Sequence, residues 1–157
     1  MDTRSLQLML VHAAYGRSMI VAQSLESKLI VFLMSHAIEN GYPIKNDSLK
    51  KLTMGALVNQ FIDKYKPPEE LSDELISMVY FRNELAHRII DTICYEAVDD
   101  SWQERVIEEL TSIESYFHET NLLLKPYMDR SHIVLKVTAE DTHELARKIY
   151  PGLMGRG

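Results

Sequence analysis

Arg82 and His87, with Asn83 between them, are the side chains of this sequence best suited to phosphate chemistry. Histidine titrates near neutrality and can give or take a proton. Arginine keeps its charge and presents a planar fork of donors that matches phosphate oxygens. Cleaving RNA without a metal needs a base for the ribose 2′-hydroxyl, an acid for the leaving 5′-oxygen and a cation for the charged phosphorane. Asn83 precedes His87 by four residues, so on a continuous helix it shares the imidazole's face and can orient it or hold substrate. Arg82 and His87 are five apart, roughly 140° around a regular helix. One chain therefore splays them unless the helix loosens after Ala86. Two copies facing each other about a twofold axis would line one composite cleft.

The helix that carries them is legible from its periodicity. Counted from Leu71 at about 100° per residue, Leu75, Met78, Val79, Leu85, Ala86 and Ile89 gather on one apolar arc, and Arg82 falls near its middle, about 20° from Leu71. A guanidinium placed there needs a partner or an opening, because burying it alone costs several kcal/mol. The plain structural reading is an ion pair with Glu84 or with a carboxylate on a neighbouring helix, His87 being a polar edge residue. Glu84 and Arg88 form an i,i+4 pair that supports the helix.

The stretch Arg82-Asn83-Glu84-Leu85-Ala86-His87 resembles the signature of the HEPN superfamily: an arginine, a polar residue, then a histidine after four to six intervening positions. The resemblance covers residues 1 to about 128. It implies an all-α domain, a dimer with the two motifs facing each other, and one of two functions. The first is a metal-independent endoribonuclease in a toxin–antitoxin or antiviral setting, with Arg82, His87 and Asn83 as site residues. The second is a catalytically silent dimerisation or protein-interaction module. Some relatives carry a tyrosine two residues after the histidine, where a partner enzyme modifies it. Here that residue is Ile89, which argues against that form of regulation.

No other chemistry competes. There is no glycine-rich phosphate loop and no Gly-x-Ser-x-Gly. His12, His36, His118, His132 and His143 are scattered without metal-ligand spacing, so neither metal nor cofactor is expected. The single cysteine, Cys94, excludes an intramolecular disulfide and reads as a small core residue in a reducing, cytoplasmic setting. No run near 18 residues is free of charge, so no membrane span is expected.

The net charge is −6, unevenly spread. Residues 67–122 hold 3 Lys/Arg against 14 Asp/Glu, whereas residues 1–66 hold 8 against 5. A phosphate backbone is repelled by such an acidic half at long range, so RNA contact is expected to be local. The acidic half is either a solvated face or a dock for a basic partner, such as an antitoxin or a second subunit. Lys45, Lys50, Lys51, Lys64 and Lys66 make the one basic concentration, read as a solvated loop region.

Four main helices are expected. The first runs from Asp2 to Glu39 and ends at Asn40-Gly41-Tyr42-Pro43, with Gly16 as a kink or close crossing. The second spans Ser48 to Tyr65, capped by Asp47 or Ser48, with Leu52, Leu57, Val58, Phe61 and Ile62 on one side. The third opens at Pro67-Pro68-Glu69-Glu70. The fourth starts at Ser101 with Glu104 as a capping box, shows Val106, Leu110, Ile113 and Phe117 at helical spacing, and stops near Pro126. Ile133 to Val137 reads as a short strand or extended segment, Ala139 to Tyr150 as a last short helix, and Gly152 to Gly157 as a tail. The expected architecture is all-α: an up-and-down four-helix bundle over 1–128, with 129–157 an appendage of the same domain, forming a homodimer.

Overall fold

A computed structural model describes residues 3–42, 46–89 and 100–135. The fold is all-α, and no strand occurs among the described residues. The helices are α1 (Thr3–Glu39), α2 (Asn46–Leu49), α3 (Met54–Tyr65), α4 (Glu69–Glu84, followed by a wider π-helical segment, Leu85–Ile89), α5 (Asp100–Leu123) and α6 (Lys125–Leu135).

The 37-residue α1 is the spine, about 55 Å long at 1.5 Å per residue. Val11, Ala14, Ser18, Ala22, Leu25, Leu29 and Phe32 recur every three or four positions and are buried along one seam. Against it lie Val106, Leu110, Ile113 and Phe117 of α5, in the same period, followed by buried Leu124 just beyond it. The Ser18 hydroxyl lies 3.1 Å from both the Ala14 and Leu110 carbonyl oxygens, so this polar atom on the seam is satisfied. By length and composition the stretch Leu8–Glu39 would also suffice to cross a membrane. Here its seam forms the bundle core instead.

Helix α1 stops as the breaker predicts. Gly41 has φ 71°, Tyr42 N–H donates to the Ala37 carbonyl and Gly41 N–H to that of Ile38, which together form a Schellman cap. Gly16 marks no close crossing, since nothing lies within 4 Å of where its Cβ would stand.

Two expectations are corrected. The segment expected as one helix from Ser48 is broken at Lys50–Thr53, and α3 begins at Met54. Thr53 is extended and its side chain accepts from Ala56 N–H at 3.3 Å, a cap one turn later than Asp47 or Ser48. The fourth helix does stop near Pro126, at Leu123, but a further helix follows at once. Pro126 sits in the first turn of α6, where its missing N–H breaks no bond, and buried Leu124 is the break. Ile133 to Leu135 are helical in α6, not a strand. The β-branched run yields to packing of α6 on α1, and α6 crosses the expected 128/129 boundary. The expected helix at 139–150, the tail and Cys94 lie outside the described residues.

The helix order does not alternate strictly up and down. Arg17 pairs with Glu114 and Lys28 with Asn121, so α1 runs parallel to α5, and Glu39 meets Arg130 of α6. Tyr65, the last residue of α3, packs on Phe32 and His36 near the end of α1, with Tyr127 completing the aromatic cluster. Helix α4 packs on α3 and α5 and meets the middle of α1 through Arg82 and Glu26.

Candidate functional site

Helix α4 is opened by Pro68 with Glu69 and Glu70 in its first turn, where acids favour the positive end of the helix. Leu71, Leu75, Met78 and Leu85 are buried, as the apolar arc predicts, while Val79 and Ala86 are half-buried. The Ile89 and Arg88 side chains lie outside the described residues, so the Glu84–Arg88 pair does too. Phe81 meets the Tyr116 ring edge-on at 5.1 Å, and Tyr116 O–H reaches the Glu74 carbonyl at 3.5 Å. These contacts lock α4 on α5 one turn before the motif. Burial, then the neighbouring Glu74, pushes the Tyr116 phenol up to about 12.

Arg82 has the partner that its place in the arc demands. Its Nε donates to Glu26 Oε1 of α1 at 3.0 Å, with the two side chains 31% and 27% exposed. The pair is thus neither buried nor free. Its partner is a neighbouring helix's carboxylate and not Glu84. Glu26 was not singled out by sequence reasoning, yet a signal existed: it is the lone acid between Asp2 and Glu39. Tyr15, three turns earlier on the same face, also feels Arg82. Burial raises its phenol pKa and the Arg82 charge opposes that rise.

Asn83 and His87 are exposed. They continue a solvent-facing row with Ile76 and Tyr80, 53% and 58% exposed, at spacings of four, three and four residues. Beyond Glu84 the helix widens to π winding over Leu85–Ile89. Each residue there turns the chain less than in an α-helix, which narrows the angle between Arg82 and His87. The loosening falls at the point where the spacing requires it. Within one chain the three residues flank one edge of α4: Arg82 points toward α1, and Asn83 and His87 toward solvent. The two clefts between α1, α5 and α6 do not include them.

Two of the remaining histidines are engaged elsewhere, and His143 lies outside the described residues. His36 Nδ1 lies 2.9 Å from Tyr42 O–H, and His118 lies 3.8 Å from Glu114. Among the described residues no three His, Cys, Asp or Glu side chains come together as metal ligands. Lys64 and Lys66 both bond Asp63, holding its carboxyl below the usual range, which neutralises part of the basic concentration. Lys45 lies outside the described residues.

Known families, characterised proteins and solved structures were compared with this chain, and none matches. The site is therefore read from its own geometry.

Proposed function

We propose that the chain is a metal-independent endoribonuclease of the HEPN type, acting in a toxin–antitoxin or antiviral setting, whose site is completed by a second copy. The observation that carries this reading is the exposed row Ile76, Tyr80, Asn83 and His87 beside a half-exposed Arg82. An apolar pair next to two polar chemistry-bearing groups suits a face that two copies share. His87 moves a proton between the ribose 2′-hydroxyl and the leaving 5′-oxygen. Arg82 neutralises the phosphorane, and Asn83 orients the imidazole. Attack of the 2′-oxygen on phosphorus breaks the bond to the 5′-oxygen, leaving a 2′,3′-cyclic phosphate and a 5′-hydroxyl.

The Arg82–Glu26 pair favours a second reading. There Arg82 holds α4 to α1, and the same exposed row serves a silent dimerisation or partner-docking module.

The test is cleavage of RNA by wild type, Arg82→Ala, His87→Ala and Arg82→Lys in the presence of EDTA. The enzyme reading expects a loss of about 10²–10⁴-fold in the His87 variant. It also expects a large defect for Arg82→Lys, which keeps charge but loses the planar fork. Cleavage unchanged in all three variants assigns the chain to the silent module.

A further inference from the structure

A second feature lies away from α4, in the groove between α1 and α6. Lys28 and Val31 of α1 face Met128, His132 and Leu135 of α6 across an open cleft of about 310 Å³. Its exposed lining is mostly apolar, supplied by Val31, Met128 and Leu135. A smaller recess of about 170 Å³ adjoins it, shares Lys28 and Met128, and adds Lys125. The larger volume is at the low end of small-molecule sites and corresponds to about ten waters at ~30 Å³ each.

Charge distinguishes this cleft from a simple packing defect. Lys28 stands where the two recesses meet, half-buried, and its Nζ donates to Asn121 Oδ1 at 2.7 Å. That partner is a neutral amide. Among the described residues no carboxylate lines either recess, and Lys28 forms no ion pair. Burial lowers the Lys28 pKa, the mark of an ammonium whose lost hydration has not been replaced by an opposite charge. His132 on the facing wall adds a polar ring, while Lys125 at the rim is held by Asp129 at 3.3 Å, so Lys28 is the cation that the cleft offers.

We propose that this cleft binds a small carboxylate bearing a short alkyl chain, its head on Lys28 and its tail on Val31, Met128 and Leu135. A carboxylate supplies the charge that Asn121 cannot, and the apolar walls remove the chain from water. A neutral alcohol of the same length forfeits the first contribution, and acetate forfeits the second. The site is independent of the ribonuclease reading, since none of its residues belongs to α4.

Octanoate titrated into the full chain by calorimetry, with octanol and acetate in parallel, tests the assignment. Octanoate is expected to bind about tenfold or more tightly than either control, and Lys28→Gln to lose about that factor. Lys28→Arg, which keeps the charge, should retain most of the affinity. In wild type the Met128 methyl resonance should shift on saturation, a readout that needs no variant to fold. Octanol binding as tightly as octanoate, an unmoved Met128 methyl, or full affinity in a folded Lys28→Gln variant would each overturn the proposal.

Discussion

Arg82 Nε and Glu26 Oε1 stand 3.0 Å apart, joining the end of α4 to the middle of α1 across 56 positions of sequence. Both side chains keep about a third of their exposure, so water screens the pair and its contribution to stability is modest. A double-mutant cycle with Glu26→Ala and Arg82→Ala, read by urea denaturation, should give a coupling of about 0.5–1 kcal/mol. Zero coupling would mean that the guanidinium is not held at Glu26 in solution. On the enzyme reading Glu26→Ala should also slow cleavage less than Arg82→Ala, because it loosens the phosphate-binding group without removing it.

The exposed row on α4 gives a test of assembly. Ile76→Asp and Tyr80→Asp change residues that are more than half exposed, so each chain should keep its helical content. If the row is the shared face, placing two charges opposite each other across a twofold axis should yield monomers in sedimentation. Cleavage should fall with the dimer. Dimers that persist in both variants would place the interface elsewhere.

Tyr116 supplies a pH dependence with a definite sign. Its phenol titrates near 10 when unfolded and at about 12 when folded, so between these values the folded state binds more protons. Its contribution to stability is therefore complete below pH 10 and is lost as the pH rises toward about 12. Urea midpoints measured across that range should fall, and Tyr116→Phe should flatten the decline. Burial also raises the Tyr15 and Tyr65 phenols, so some slope should remain. A Tyr116→Phe slope equal to that of wild type would show that the phenol is not desolvated against α4.

Much of the helical layout is legible because it is local. Asn40-Gly41 ends α1, Pro67-Pro68 opens α4, and the period of Val106, Leu110, Ile113 and Phe117 marks the buried side of α5. The position of Arg82 within the apolar arc likewise announces that a partner must exist. Less was visible where two local signals competed. Asp47, Ser48 and Thr53 are all capable caps, and the one chosen depends on Leu49, Met54 and Leu57 being buried together. The run Ile133-Val134-Leu135 has strand-like composition, yet an isolated strand has nothing to pair with, and a helix satisfies its backbone internally.

By itself, then, the sequence determined the all-α class, the limits of α1 and the start of α4, and the helix face on which Arg82 falls. These follow from backbone conformation and from a period of 3.6, both of which act within a few residues. Tertiary structure decided that Glu26 is the carboxylate meeting Arg82, that the winding widens at Leu85, and that α1 and α5 run parallel. Each of these depends on which helices pack together, and packing is settled by contacts between residues far apart in the chain, which no local pattern encodes.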